Sequence, residues 1–341
     1  MKHFGKKTAA AFLAVLMSGM LGACSSAGSD SSDAPAGSSG KESKTIGIIE
    51  YAVNPSLDNC HTGFLKGLEE SGFKEGENLT IVFKNAQADP NNAKTIAKTM
   101  VAKNYDLVVG IATPAAMGLY GAAKSAGIPT IFTAVSDPVG AGLVKSLEKP
   151  ETNCTGSADV LPLESQLKMI RAFLPDAKKI GVLHTTSEPN STASLKTFQS
   201  LAPKYGFEVV NVGVTGSADV EPAMRTLISK GVDCVNNFTD NNVVNHLPGL
   251  LQAANEANIP IFGSEEEQVK NGCLAAVSID YVALGEETGK MAAKILSGDA
   301  KAGETPVYTV NDGKPVYNEN VMKQLGLSLP AEDSDAQNVA P

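Results

Sequence analysis

The chain of 341 residues has no tryptophan and only 5% aromatic residues, so it offers few side chains on which a nucleic-acid base could stack. Its 37 acidic residues outnumber its 28 basic ones, whereas nucleic-acid-binding proteins normally carry a basic patch. No apolar run approaches the roughly 20 residues that a membrane-spanning helix needs. These absences argue against a nucleic-acid reader and predict no permanent transmembrane helix.

The chain also lacks the short motifs that most often carry catalysis. It contains no phosphate-binding G-x-x-x-x-G-K-[ST] loop, no G-x-S-x-G elbow and no pair of histidines four residues apart. The segment GAGLVK at residues 140–145 lacks the third glycine of a dinucleotide-binding loop. The sequence therefore predicts no bound metal, no cofactor and no enzyme active site.

Four of the five cysteines, Cys60, Cys154, Cys234 and Cys273, lie in the body of the chain. Their spacing matches no zinc module and no C-x-x-C pair. We expect them to act as small buried apolar side chains. Because disulfides can form outside the cytoplasm, the sequence leaves their pairing open.

The N-terminus has the pattern of an export signal over residues 1–23. Three lysines at positions 2, 6 and 7 precede an apolar run at residues 9–17, which is too short to span a bilayer. The segment LGAC at residues 21–24 resembles the lipobox of bacterial lipoproteins, in which the cysteine is acylated and becomes the mature N-terminus. An ordinary cleaved signal followed by an unrelated cysteine is the alternative.

Residues 24–44 are rich in Ser, Gly, Ala and Asp, which is typical of a flexible tether. We therefore expect an exported protein, anchored through a lipid on Cys24 to the outer face of the cytoplasmic membrane. In a cell with an outer membrane, the protein would lie on the periplasmic side.

From residue 44 onward, strand-like and helix-like segments alternate, which is typical of a parallel sheet covered by helices. The pattern then repeats: IGII at residues 46–49 returns as IGVL at 180–183, and an Ile-Pro pair at 128–129 returns at 259–260. The sequence therefore predicts an α/β protein with two doubly wound, Rossmann-like lobes.

Because segments of both halves interleave, we expect a hinge that the chain crosses several times, at residues 151–157, 277–281 and 306–314. These crossings divide the chain into a first lobe of residues 45–157 and 282–310 and a second lobe of residues 158–281 and 311–330. Residues 331–341 show no apolar periodicity and are predicted to be a disordered tail.

Open α/β sheets bind ligands beyond the carboxyl ends of their strands, so loops from both lobes should converge on one cleft. Small polar residues and their neighbours lie at these strand exits. The candidate ligand-binding residues are Asn54, Pro55, Leu57, Thr113, Pro114, Ala115, Ser136, Asp137, Asn190, Ser191, Asp240, Asn241, Ser264, Glu265, Asp280 and Tyr281.

Several of these segments resemble a known family. They include IGIIEY at 46–51, GENL at 76–79, IATPA at 111–115, FTAVSDPVGAGLV at 132–144 and DYVALG at 280–285. Together they resemble the solute-binding lipoproteins of ABC importers with the two-lobed type I periplasmic-binding-protein fold, in the subfamily associated with tryptophan and other aromatic amino acids. The resemblance covers about residues 45–327.

The resemblance implies capture of a solute in the cleft and its delivery to an ABC permease that a separate ATPase subunit drives. It implies no enzymatic activity, and we expect a monomer. A sensor lipoprotein acting on a membrane receptor is the alternative from another class. An exported enzyme and a transcriptional regulator are disfavoured, because no nucleophile, metal site or helix-turn-helix is visible.

The expected solute is a zwitterionic amino acid with an aromatic or large apolar side chain. With Thr113 as N-cap and Pro114 in the first turn, a helix would offer backbone N–H groups to its carboxylate. Ser136 or the pair Asn190 and Ser191 would assist.

Asp240 is the first choice for the ammonium group, with Asp280, Asp137 and Glu265 in reserve. Tyr51, Leu57, Phe132 and Tyr281 are candidates for apolar walls. A sugar is the competing ligand, but sugar sites usually stack the ring on aromatic side chains. The run Glu265, Glu266 and Glu267 is expected to be the solvated first turn of a helix.

Overall fold

The computed structural model describes residues 43–310 and 313–341. The predicted signal segment, Cys24 and nearly all of the tether lie outside these residues. Within the described ranges, no helix is both long enough and apolar enough to cross a membrane.

Strands and helices alternate along the chain. The first part contains β1 (Lys44–Glu50), α1 (Pro55–Glu70), β2 (Leu79–Asn85), α2 (Pro90–Ala102), β3 (Leu107–Ile111), α3 (Thr113–Ala123), β4 (Thr130–Thr133) and β5 (Cys154–Ala158). The second part contains α4 (Leu163–Phe173), β6 (Lys179–Thr185), α5 (Pro189–Leu201), β7 (Glu208–Val214), α6 (Val220–Ser229), β8 (Cys234–Asn236), α7 (Asn241–Asn245), α8 (Leu247–Glu256), β9 (Ile261–Phe262), α9 (Glu266–Lys270) and β10 (Ala275–Ser278). The last part contains α10 (Tyr281–Leu296), β11 (Tyr308–Thr309), β12 (Lys314–Tyr317), α11 (Glu319–Gln324) and β13 (Gln337–Asn338).

The first lobe is built on a six-stranded parallel sheet in the order β11-β5-β4-β3-β1-β2. Its central strands are apolar on both faces: Ile46, Ile48 and Ile49 of β1 are fully buried. A parallel sheet is normally covered by helices on both sides, which explains why these strands read as continuous apolar runs.

The second lobe has a parallel sheet in the order β7-β6-β8-β9. Two backbone hydrogen bonds, Leu274 N to Ile261 O and Gly263 N to Ala275 O, join β9 to β10. β10 pairs antiparallel with β12, which pairs in parallel with β13. The predicted α/β architecture with two lobes built on parallel sheets is confirmed.

The chain passes between the lobes at three places: between β5 and α4, between β10 and α10, and between β11 and β12. The first crossing lies later than expected, because most of the predicted hinge at residues 151–157 is taken up by β5, which belongs to the first sheet. Asp159 to Pro162 connect the lobes instead.

The C-terminal segment differs from its prediction as a disordered tail. β13 pairs with β12 in the register Val316 to Gln337, and Val339 is buried in the second lobe's core. A strand of two residues is too short to give a periodic pattern, so the sequence carries no sign of it.

Four glycines let α1 and α10 pack with their backbones in contact. A Cβ atom on Gly63 or Gly67 would lie 2.0 or 2.1 Å from a carbonyl oxygen of α10, and one on Gly285 or Gly289 would lie 2.1 or 2.2 Å from a carbonyl oxygen of α1. Only hydrogen fits at these four positions. The close pairing fixes the N-termini of α1 and α10 next to each other, at the edge of the first sheet that faces the second lobe.

The four cysteines of the described chain are all buried and free, as the prediction of small apolar packing residues requires. Cys60 accepts a hydrogen bond from Thr133 Oγ1, at 3.7 Å from Sγ. Burial raises the pKa of each thiol above its usual range.

Candidate functional site

A small cavity lies between the lobes, beyond the carboxyl ends of the strands of both sheets. Its lining from the first lobe and the hinge comprises Asn54, Ser56, Leu57, Ala112, Thr113, Ala134, Ser136, Asp159 and Tyr281. Its lining from the second lobe comprises Asn190, Thr239, Asn241, Val244, Glu265 and Gln268. Most of these side chains are polar, and none is a lysine or an arginine.

The lobes approach closely around this cavity. The space open to the centre of a water molecule is about 30 Å³, room for about two waters. A solute the size of an amino acid therefore needs the lobes, or the side chains that line the cavity, to move apart.

Eight of the sixteen predicted ligand-binding residues line the cavity and eight do not. Those that line it are Asn54, Leu57, Thr113, Ser136, Asn190, Asn241, Glu265 and Tyr281. Those that do not are Pro55, Pro114, Ala115, Asp137, Ser191, Asp240, Ser264 and Asp280. Asp280 is exposed and caps α10, and Asp137 accepts a hydrogen bond from Gly140 N in a turn.

The two helices of the first lobe that reach the cavity begin differently. Asn54 caps α1 with its side chain, which accepts from Leu57 N at 3.0 Å. α3 has no side-chain cap, and its N-cap is Ala112 rather than the predicted Thr113. The Ala116 N–H donates to Ala112 O and so is not available to a carboxylate. At the start of α3, Thr113 therefore faces the cavity, whereas the Ala116 N–H is occupied within the helix.

Backbone strain is concentrated at the same place. Ala112 has φ 75° and ψ 154°, and Ala134 has φ 55°, although positive φ values favour glycine. Each residue follows a strand of the first sheet and lines the cavity. Such conformations persist where the surroundings determine them strongly, and they cluster at functional sites.

Asp159 is a carboxylate in the cavity wall that no sequence pattern identified. It follows β5 directly, is buried, and accepts hydrogen bonds from Ser136 Oγ at 3.0 Å and Tyr281 Oη at 2.9 Å. Burial raises its pKa to about 6, while these hydroxyl donors act to lower it. Both side-chain donors are uncharged, and no Lys or Arg of the described ranges supplies a cation to this buried acid.

Asp240, expected to hold a solute ammonium group, is fully buried behind the cavity wall. Its two carboxylate oxygens accept hydrogen bonds from Thr185 N, Thr185 Oγ1, Ser191 Oγ and Val243 N. It caps α7, and its acceptor positions are taken by the protein itself. In this structure Asp240 therefore has no acceptor position directed at the cavity, and Ser191, which donates to it, does not line the cavity either.

A second buried acid, Glu188, lies beside Asp240. Its carboxylate accepts from Asn241 N, Asn241 Nδ2, Asn242 N and Asn190 Nδ2. Burial, together with the charge of Asp240, raises its pKa to about 7. Glu188 does not line the cavity, but it orients two asparagine side chains that do.

Glu265 joins the two lobes. Its Oε2 accepts from Ser56 Oγ of the first lobe at 2.6 Å, and its carboxylate also accepts from Glu267 N and Gln268 N at the start of α9. Burial raises its pKa to about 7. The predicted solvated acidic turn fits Glu266 and Glu267, which are partly exposed and pair with Lys270, but not Glu265, which is only 3% exposed.

The apolar walls differ from expectation. Phe132 is fully buried in the core, and Tyr51 is buried with its hydroxyl donating to Ala88 O at 2.9 Å. Neither lines the cavity, whereas Leu57 and Tyr281 do. Val244 of α7, which the sequence did not suggest, adds an apolar surface from the second lobe.

A wider groove of about 850 Å³ runs along the surface of α8 and α9 and meets the loop at Val53 and Asn54. It shares Asn54, Val244, Glu265 and Gln268 with the cavity. The smaller cavity is the stronger candidate site, because it collects buried polar groups from both lobes. Among the described residues, no group of three or more His, Cys, Asp or Glu side chains is arranged to hold a metal ion.

Comparisons with known proteins agree on one family. The family model of ABC transporter substrate binding proteins matches residues 45–335. A tyrosine-binding protein of Clostridioides difficile is 40% identical over 328 residues, which are 94% of each chain.

Two solved structures represent related proteins. A domain from a streptococcus, crystallised in complex with L-Trp, is 36% identical and superposes with a TM-score of 0.83. The ligand-free, open structure of a substrate-binding protein with adhesive properties from Clostridium difficile is 40% identical and superposes with a TM-score of 0.66. Each comparison covers 87% of this chain and 99% of the other.

Proposed function

The chain belongs to the family of ABC transporter substrate-binding proteins, and from that premise we propose that its solute is an aromatic amino acid held as a zwitterion between the lobes. Relatives described as binding tyrosine and L-Trp support this choice of solute.

The observation that carries the proposal is Asp159, a buried acid in the cavity wall whose hydrogen-bond donors are the uncharged Ser136 and Tyr281. A buried carboxylate without a cation is unfavourable, and an ammonium group from the solute would complete it. Glu265 is the other acid of the cavity, but three protein donors already occupy it. Asp159 therefore replaces Asp240 as the proposed ammonium partner.

The solute carboxylate needs donors, and none of the described residues that line the cavity is a lysine or an arginine. The first turn of α3 lacks a side-chain cap and reaches the cavity at Thr113. Backbone N–H groups at a helix start, with the positive end of the helix dipole, suit an anion. We place the carboxylate there, so that both charged groups of the solute contact the first lobe and the hinge.

We further propose that the lobes open to admit the solute and close around it. The chain superposes better on the L-Trp complex than on the ligand-free, open structure, although the two relatives are similarly identical and equally covered. The direct hydrogen bond from Ser56 to Glu265 and the narrow cavity also fit a closed arrangement. Closure on a bridging solute follows from its additional contacts in the closed state.

The closed protein would deliver its solute to an ABC permease coupled to an ATPase, acting as a monomer tethered through a lipid on Cys24. Fractionation tests the anchor: wild-type protein should sediment with membranes, and Cys24→Ala should be soluble. Equal membrane retention of the two would contradict lipidation.

A thermal-shift and calorimetric screen tests the solute. L-tyrosine or L-tryptophan at one hundred times Kd should raise the unfolding free energy by about 2.7 kcal/mol. Tyramine, which lacks the carboxylate, and N-acetyl-L-tyrosine, which lacks the ammonium group, are matched controls. N-acetyl-L-tyrosine leaves Asp159 without a cation and should bind at least about a hundredfold more weakly. Tyramine leaves the N–H groups at the start of α3 without their acceptor and should bind at least about tenfold more weakly. Stabilisation by sugars or peptides alone, or equal binding of tyramine, would contradict the proposal.

A further inference from the structure

Asn190 carries an acceptor for which no described residue provides a donor. It is the second residue of α5, is 5% exposed and lines the cavity from the second lobe. Its Nδ2 donates to Thr239 O at 3.2 Å and to Glu188 Oε2 at 3.4 Å. Its Oδ1 is buried and has no hydrogen-bond partner.

The orientation of this amide is set by its neighbours. Rotating the amide by half a turn would place Oδ1 against Thr239 O and Glu188 Oε2, which are both acceptors, and would lose both hydrogen bonds. The described arrangement is therefore the one that the network favours. It also means that Asn190 has no free N–H to give to a solute carboxylate, contrary to the sequence-based expectation.

A buried acceptor without a donor is unfavourable, and most such groups in folded proteins are satisfied by protein, water or ligand. Asn190 lines the cavity, which can hold water when no solute is bound. A solute that displaces this water without offering a donor leaves Oδ1 unpaired.

We propose that Asn190 Oδ1 accepts a hydrogen bond from the far end of the solute side chain, so that the site selects amino acids whose aromatic side chain carries a donor. The phenol hydroxyl of tyrosine and the indole N–H of tryptophan satisfy this requirement, and phenylalanine does not. The inference rests on the proposed function and deepens it.

The position of Asn190 fits this role. The proposed partners of the ammonium and carboxylate groups, Asp159 and the start of α3, lie on the first lobe and the hinge, whereas Asn190 belongs to the second lobe. A solute anchored by its charges would extend its side chain across the cleft toward α5. The contact with Asn190 would then form only when the lobes close. Closure would therefore be favoured by solutes whose side chain offers a donor.

Competition calorimetry with L-tyrosine, L-phenylalanine and L-4-fluorophenylalanine tests the inference without altering the protein. Fluorophenylalanine is close to tyrosine in size but cannot donate at the ring end. We expect both analogues to bind at least about tenfold more weakly than tyrosine, because each leaves Oδ1 unpaired. Equal affinity of tyrosine and fluorophenylalanine would overturn the inference.

The variant Asn190→Ala should remove the preference: its Kd ratio of phenylalanine to tyrosine should fall below about three. A general loss of stability or a shifted lobe would weaken both ligands alike and leave the ratio unchanged. Thr192→Ala is the matched control, because Thr192 lies in the same helix and donates to Glu188 O but does not line the cavity, so its ratio should stay at ten or more. Persistence of the preference in Asn190→Ala would overturn the inference.

The result also separates the two proposals. Comparable binding of all three amino acids refutes the role of Asn190 alone. If no aromatic amino acid binds, the proposed function is refuted.

Discussion

Replacing Asp159 by asparagine should stabilise the unliganded protein while abolishing binding. The substitution keeps the size of the side chain and its ability to hydrogen bond with the Ser136 and Tyr281 hydroxyls. What it removes is a buried negative charge that has no cation beside it. The two effects have opposite signs, so no general damage to the fold can imitate them.

The size of the stability effect follows from the pKa. Burial raises the pKa of Asp159 from 3.8 to about 6, a difference of roughly 2 units, and each unit corresponds to about 1.4 kcal/mol. The folded state thus binds the proton more tightly than the unfolded state, and stability falls as pH rises between about 4 and 6. At pH 7, Asp159→Asn should gain up to about 3 kcal/mol, and at pH 4 most of this gain should disappear.

The effect on binding is larger and opposite. Asp159→Asn leaves the solute ammonium group without its buried partner. The binding free energy should therefore weaken by about 3 to 5 kcal/mol, which is at least about a hundredfold in affinity. Urea unfolding of wild type and variant at pH 7 and pH 4, followed by titration calorimetry with L-tyrosine, measures both quantities. A variant that is less stable at both pH values, or that binds tyrosine within threefold of wild type, would refute the assignment of Asp159.

Three further predictions concern pH, packing and closure. Wild-type affinity for tyrosine should fall up to about tenfold per pH unit between pH 6 and 4, because Asp159, with its raised pKa, must release a proton before it can pair with the solute ammonium group. A calorimetric affinity that does not change with pH would contradict this. Gly289→Ala should lose about 3 kcal/mol of unfolding free energy, because its Cβ would lie 2.2 Å from a carbonyl oxygen. Gly121→Ala, in a helix with no heavy atom within 4 Å of the new Cβ, should gain about 1 kcal/mol. Equal effects of the two substitutions in urea unfolding would refute the packing argument. Ser56→Ala removes the hydrogen bond to Glu265 that joins the lobes in the closed arrangement, so we expect calorimetry to show an affinity for tyrosine about threefold to tenfold weaker, and an unchanged affinity would show that this contact does not hold the lobes together.

The sequence predicted the architecture because its signals are local and repeated. Buried strands such as β1 and helix starts such as Asn54-Pro55 are encoded within a few residues, and their recurrence identifies two lobes. The four glycines between α1 and α10 were visible as residues, but their contact joins segments more than 200 positions apart. Their role could therefore be recognised only in the folded chain.

The candidate site was predicted less well, because a polar residue at a strand exit can face the cleft or turn back into the protein. Asp240 turns back to cap α7, while Glu265 caps α9 and also reaches the other lobe. Asp159 was missed because it lies just after a strand that the sequence analysis assigned to a hinge. Only the positions of the hydrogen-bond donors around each carboxylate separate these cases, and those donors come from distant parts of the chain.

A crystal structure of the protein with L-tyrosine bound tests the central claim most directly. We predict one tyrosine between closed lobes, with its ammonium group within hydrogen-bond distance of Asp159 and its carboxylate at the first turn of α3. A tyrosine bound in the groove along α8 and α9, or an ammonium group paired with Asp240, would contradict it.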